Sequence, residues 1–156
     1  MTIIAWDGRT LAADKRTSFG TEFTTTTKIK RINGSLVGCA GDTALCAAMF
    51  AWAEAGYAID AFPHEQKDRV ICVSMLVINP DGRVLHYGPQ PHPFTIEDKT
   101  YTIGSGSQFA AAAMHLGLDA HRAVEVACEL DINCGNGIDT LILEQQSQEN
   151  IASPQQ

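Results

Sequence analysis

The sequence is poor in most features that mark a chain for a compartment or a prosthetic group. Its five cysteines (Cys39, Cys46, Cys72, Cys128 and Cys134) are odd in number and include no C-x-x-C pair. That excludes a zinc ribbon and argues against a disulfide framework, so the thiols are expected to be reduced and mostly buried. The five histidines (His64, His86, His92, His115 and His121) show neither H-x-x-x-H nor H-E-x-x-H spacing, and neither a metal nor another cofactor is expected. A G-x-x-x-x-G-K-[ST] phosphate loop and a G-x-S-x-G nucleophile elbow are both missing. Long hydrophobic runs are missing too: Val70 to Ile78, interrupted by Ser74, is about half of the ~20 residues that a membrane-spanning helix needs. Positive charge is scarce, with 11 Lys and Arg against 18 Asp and Glu and a formal net charge of −7. Such a balance repels phosphate backbones and anionic lipid, so nucleic acid and membranes are not expected partners. The opening Met1-Thr2-Ile3-Ile4-Ala5-Trp6-Asp7 has no basic segment and meets a carboxylate too early for a signal peptide, which points to a cytoplasmic protein.

What is present is 156 residues, 45% of them hydrophobic, enough for one core and too few for two. Residues 1–144 read as a single domain and 145–156 as a polar, disordered tail. Asp7-Gly8 separates a strand over 2–6 from one over 9–14, and Asn33-Gly34 separates 28–32 from 35–40; both dipeptides favour tight hairpins. Pro80-Asp81-Gly82 joins strands over 70–78 and 83–87, and a last strand covers 138–143. Helices are predicted over 42–55, with an Asp42 cap and a stop at Gly56, then over 107–116 and 119–130, split by Gly117. Residues 57–69 read as irregular, and 89–98, with Pro89, Pro91 and Pro93, as a stiff extended connection. The Thr24 to Thr27 run reads as a strand lead-in. Strands and helices come in blocks, which predicts an α+β fold of antiparallel sheets with helices on their outer faces.

Several residues could carry chemistry, each with a plainer explanation beside it. Thr2 follows an initiator Met and is small enough for that Met to be removed. Its hydroxyl would then lie beside its own α-amine, a group that titrates near ~7.7 to 8.0 and can serve as a base at neutral pH. Most second-position threonines do nothing of the kind. Asp14 and Lys28 stand at predicted strand ends; they suit a cation held beside an amine and oriented by a carboxylate, although taken alone the favoured reading is two solvated surface charges. Gly38-Cys39-Ala40-Gly41-Asp42 and Gly104-Ser105-Gly106-Ser107 both run into helices. They offer backbone N–H groups for an oxyanion or phosphate, or form close-packed corners. Asp131-Ile132-Asn133-Cys134-Gly135-Asn136-Gly137 is a polar loop of the kind that positions functional groups, though an ordinary connection would look similar.

Taken in chain order, these residues resemble the proteasome β-subunit family, including its simpler bacterial relatives of the heat-shock-locus V type. The match runs from Thr2 to Leu143. Thr2 matches the N-terminal nucleophile, Asp14 the acid paired with the catalytic Lys, Lys28 that Lys, Gly41 the oxyanion glycine and Ser105 the auxiliary serine. Asp131, followed by Cys134 and Gly135, matches the Asp-x-x-Ser-Gly segment, with Cys134 where the family usually has Ser and a reactive thiol as one consequence. The resemblance implies a four-layer αββα sandwich of the N-terminal-nucleophile hydrolases, here with a trimmed outer helical layer because 57–69 is short. It implies a threonine peptidase or amidase that cuts peptide or protein substrates through an acyl-enzyme once Met1 is removed. It also implies a homo-oligomer with an unfolding ATPase as a partner. The rival readings are a non-catalytic self-assembling protein of the same fold and a small-molecule amidase.

Overall fold

The computed structural model describes residues 2–63 and 72–144. Eleven strands and three α-helices are present among them: β1 Ile3–Trp6, β2 Thr10–Asp14, β3 Arg16–Phe19, β4 Glu22–Thr25, β5 Ile29–Ile32, β6 Ser35–Gly41, α1 Thr43–Glu54, β7 Val73–Ile78, β8 Val84–Tyr87, β9 Phe94–Ile96, β10 Tyr101–Gly104, α2 Ser107–His115, α3 Ala120–Leu130 and β11 Ile138–Ile142. They form three antiparallel sheets, ordered β10-β1-β2-β11, β3-β4 and β5-β6-β7-β8-β9. The fold is therefore α+β. Among the described residues no helix is long and apolar enough to cross a membrane.

The local signals in the sequence act as their chemistry requires. At the β5-β6 turn Asn33 and Gly34 both take positive φ, 48° and 83°, which matches the right-handed twist of the strands they join. The β1-β2 turn works differently: the Asp7 carboxylate accepts from the backbone N–H of Arg9 and Thr10, at 2.9 and 2.8 Å. Asp42 caps α1 by accepting from Leu45 N–H, and Asp119 caps α3 by accepting from Arg122 N–H.

Apolar side chains form three clusters. Helices α2 and α3 bury four alanines and a valine (Ala110, Ala113, Ala123, Val124, Ala127) against Ile3, Ala5 and Ala12 of the four-stranded sheet. Ile4, Trp6 and Leu11 on the opposite face of that sheet meet Leu36, Leu76 and Ile78 of the five-stranded sheet. On that sheet's far face α1 packs Leu45, Met49, Phe50 and Trp52 onto Val37, Met75 and Val77. This alternation follows from the period-two geometry of strands, which sends neighbouring residues to opposite faces. Trp52 stands at the centre of an aromatic group, edge-on to Tyr57, Phe62 and Tyr87 with ring centroids about 5 Å apart.

Four expectations need correction. Residues 89–98 are not merely a connection, since β9 pairs with β8 as an edge strand; its residues are largely exposed, so no burial pattern marked them. The Thr24 to Thr27 run does not only lead into a strand, because Thr24 and Thr25 belong to β4, paired with β3. Lys28 immediately precedes β5 rather than opening it. Of the five thiols, only Cys39 and Cys134 are buried, while Cys46 and Cys128 are half-buried and Cys72 is exposed. The expected irregular segment holds a short 3-10 turn, Ile59–Ala61. Residues 64–71 lie outside the described residues, as do Met1 and the expected tail at 145–156.

Candidate active site

The chain reversals bring Thr2, Asp14, Lys28, Ser105 and the 131–135 loop to one end of the four-stranded sheet. Antiparallel pairing does most of this work. Strand β1 begins beside the end of β2, with Ile4 opposite Ala13, and beside the end of β10, with Ile3 opposite Gly104. Ile138 of β11 lies opposite Asp14.

Asp14 is the most heavily bonded side chain of the group. Its Oδ1 accepts from Ile3 N–H at 3.0 Å and from Lys28 Nζ at 2.8 Å. Its Oδ2 accepts from Arg16 N–H at 3.2 Å and from Gly135 N–H at 3.1 Å. Lys28 Nζ also donates to the Arg16 carbonyl. Thr2, Asp14 and Lys28 are only 5%, 0% and 6% exposed, which rules out the reading of Asp14 and Lys28 as solvated surface charges. A charge pair removed from water this far is tolerable only when its remaining lone pairs and protons are satisfied, and the backbone donors do that here.

On the other side of Thr2, Ser105 Oγ accepts from Thr2 N at 3.2 Å. Asp131 accepts from Asn133 N–H at 2.9 Å, from Asn133 Nδ2 at 2.8 Å and from the Cys134 thiol at 3.5 Å. Burial disfavours its charge, but the Asn133 backbone and side chain, the Cys134 thiol and the Ser105 hydroxyl together hold Asp131 below the usual carboxylate value. A chain of hydrogen bonds thus runs from Asp131 through Ser105 to the nitrogen of Thr2. Cys134 is pushed up to about 12, first by burial and then by Asp14 and Asp131 nearby. It therefore keeps its proton and donates as a serine would.

Two glycines are dictated by space. At Gly104 (φ 103°) a Cβ would lie 2.0 Å from the Thr2 carbonyl oxygen, and at Gly41 (φ 130°) 2.1 Å from that of Cys72. Any side chain at Gly104 would push Thr2 out of place. A cleft of about 580 Å³ opens here; Thr2, Lys28, Cys39, Gly41, Cys46 and Phe50 are among its walls. Gly41 stands just before the Asp42 cap of α1, where helix-terminal N–H groups favour negative charge.

Arg16 is the functional neighbour that sequence reasoning missed. Besides its backbone contacts to Asp14 and Lys28, its guanidinium donates to the Ile132 carbonyl at 2.6 Å and to Asn136 Oδ1 at 3.1 Å. Asn136 Nδ2 in turn donates to the Thr24 carbonyl at 3.1 Å. The 131–137 loop is thereby tied to the β3-β4 hairpin. The one sequence signal was the position of Arg16, two residues past Asp14. Among the described residues no three His, Cys, Asp or Glu side chains gather as a metal site requires.

The fold that carries this site occurs among solved structures. A structure of Thiobacillus denitrificans BPH in complex with epoxomicin superposes with a TM-score of 0.70 at 21% identity, covering 94% of this chain and 100% of that one. A second structure of Thiobacillus denitrificans BPH gives a TM-score of 0.68 at 22% identity with the same coverage. The likeness is one of fold. No family model matches the chain, and no curated protein sequence does.

Proposed function

We propose that this chain is a threonine-type peptidase or amidase of the proteasome β-subunit kind, with Thr2 as its nucleophile once Met1 is removed. The observation that carries the reading is the convergence of a sealed Asp14–Lys28 ion pair and the Ser105 hydroxyl on Thr2. Two solvated charges would suffice for stability, whereas a desolvated pair at a chain terminus suits a base that must work without a histidine. The three apolar clusters, in the order helices, sheet, sheet, helix, fit a four-layer αββα sandwich with a single helix described in its thinner outer layer. One structure similar in fold holds epoxomicin, a proteasome inhibitor.

In this reading Thr2 Oγ attacks the carbonyl carbon of a peptide lying in the cleft. The α-amine of Thr2 accepts the hydroxyl proton; such amines titrate near ~7.7 to 8.0, so a useful fraction is unprotonated at neutral pH. The Gly41 N–H at the start of α1 receives the developing oxyanion. The amine proton passes to the departing nitrogen, leaving an ester on Thr2, and water attacks that ester to restore the hydroxyl. Lys28 supplies a fixed positive field, Asp14 holds it, and Ser105 with Asp131 orients the amine. Assembly into a homo-oligomer, and delivery of substrates by an unfolding ATPase, belong to the same proposal.

Intact-mass measurement decides whether Met1 has been removed, and fluorogenic peptides then test the chemistry. Thr2→Ala is expected to abolish hydrolysis, and unchanged turnover in that variant would remove Thr2 as nucleophile. A solution mass corresponding to one chain would remove the oligomer.

A further inference from the structure

One pair of nucleophilic side chains in the cleft has no part in the reaction just described. Cys39, in β6, lies two residues before Gly41; Cys46 lies in the first half of α1. Both residues are among the walls of the cleft that contains Thr2, and Cys46 packs against the apolar cluster that includes Cys39. Each thiol is the first influence on the other's protonation. We propose that Cys39 and Cys46 form a redox-sensitive dithiol that a hydroperoxide converts to a disulfide in the wall of the cleft.

The surroundings divide the two thiols between two roles. The hydrogen bond with Cys46 comes first, with burial behind it, in keeping the proton on Cys39. The same bond, helped by Lys28, favours the thiolate of Cys46 against burial and the nearby Asp42. Cys46 is also the more accessible of the two. A thiolate that is reachable and beside a second thiol has the features of a peroxide-sensing site. Cys134, the thiol that the sequence singled out, has the opposite character.

The chemistry proceeds in two steps. The Cys46 thiolate attacks the terminal oxygen of the hydroperoxide; the O–O bond breaks, an S–O bond forms, and the peroxide's other half leaves as an alcohol or water after taking up a proton. Sulfur is oxidised to a sulfenic acid and the peroxide is reduced. The Cys39 sulfur then attacks Cys46, forming the S–S bond as the S–O bond breaks, and its proton leaves with the hydroxide as water. A dithiol reductant returns the disulfide to two thiols by exchange and is itself oxidised to a disulfide. Closing the sulfurs to about 2.05 Å draws the start of α1 toward β6 on either side of Gly41, which would distort the cleft. This consequence for hydrolysis rests on the function proposed above; the linkage itself does not.

The test uses the wild-type chain treated with hydrogen peroxide, alkylated after denaturation, and cut on the amino side of Asp42. That cut separates Cys39 from Cys46, so a disulfide keeps the two fragments joined until reductant is added. The expected result is a joined Cys39–Cys46 fragment that dithiothreitol separates, and a free, alkylated Cys39 in Cys46→Ser. Recovery of both cysteines alkylated at a peroxide dose that oxidises the exposed Cys72 would overturn the proposal. So would a disulfide from Cys39 to any other cysteine in Cys46→Ser. Hydrolysis of peptides is read in parallel: loss should track the joined fraction and reverse with reductant, in the wild type but not in Cys46→Ser. A chain that forms the link yet never hydrolyses peptides with Met1 removed refutes the proposed function alone. A chain that hydrolyses them equally well with the link formed refutes the switch.

Discussion

The two sides of Thr2 are built on different principles. Asp14 receives hydrogen bonds from four separate segments: Ile3 in β1, Arg16 in β3, Lys28 before β5, and Gly135 in the loop before β11. Asp131 receives most of its bonds from its own loop, Asn133 and Cys134, and only Ser105 reaches it from elsewhere. The Asp14–Lys28 pair is buried, whereas Ser105 is exposed and Asp131 half-exposed. One side therefore exists only when the whole fold is assembled, and its loss should damage both stability and chemistry. The other is a local loop held in place by Arg16 and Asn136, and its loss should damage chemistry with little effect on stability.

The largest effect should come from Lys28→Ala. Removing the cation leaves Asp14 as a buried charge whose remaining donors are backbone N–H groups, a change that typically costs about 3 to 5 kcal/mol. Peptide turnover should fall by at least about a hundredfold, the lower range for losing a preorganised electrostatic group. Urea unfolding and steady-state hydrolysis measure the two losses separately. If hydrolysis collapses while stability does not change, the view of this side as a structural keystone is wrong. Asp14→Asn combined with Lys28→Met should be less destabilising than the sum of the single changes, because each single change strands its partner.

Ser105→Ala should act in the opposite proportion. Ser105 is solvent-exposed, so its loss should cost at most about 1 kcal/mol of stability. Turnover should fall about tenfold, which corresponds to ~1.4 kcal/mol of barrier. A stability loss as large as that of Lys28→Ala would erase the distinction between the two sides. Asp131 offers a gentler test through pH. Its folded value lies below the ordinary 3.8 because hydrogen bonds outweigh burial, so the unfolded chain takes up the proton first as pH falls. Its contribution to stability is intact above the ordinary carboxyl value and is lost as pH descends through it toward the lower folded value. Thermal melts of Asp131→Asn should accordingly be flatter than those of the wild type below about pH 4. An identical pH profile would mean that the carboxylate is not held by the bonds described.

What the sequence made legible were features written in consecutive residues. Asn33-Gly34, the Asp42 and Asp119 caps and the apolar strands of the core each carry their signal locally. The β3-β4 hairpin does not: every residue of β4 is exposed, so no alternation betrays it, and its pairing rests on backbone hydrogen bonds and on the Arg16 guanidinium lying over the Phe23 ring. β9 escapes for the same reason. Thr2, Asp14, Lys28 and Ser105 could be named through a resemblance, but each was ambiguous alone. Their convergence depends on registers such as Ile3 opposite Gly104 and Ile138 opposite Asp14, which no local pattern encodes. The role of Arg16 is similarly non-local, since it joins residues more than 110 positions apart.

The smallest effect, and the finest test of the comparison, concerns Cys134, which touches both sides. Its sulfur donates to Asp131 at 3.5 Å, and Gly135, next in the chain, donates to Asp14. Burial and the two carboxylates push its thiol up to about 12, so at neutral pH it is a neutral donor of roughly serine's shape. Cys134→Ser should therefore preserve the bond to Asp131 while exchanging a large buried sulfur, packed among Ile3 and Ala127, for a smaller oxygen. The stronger donor and the lost packing oppose one another, and the net change in stability should stay within about 1 kcal/mol. Cys134→Ala keeps the backbone but removes the donor, so its acid melt should shift toward that of Asp131→Asn, as Asp131 loses one of the bonds that hold it ionised. If Cys134→Ala instead weakens the Asp14 side, measured as a loss comparable to that of Lys28→Ala, then the loop is not local, and the two sides of Thr2 are a single unit.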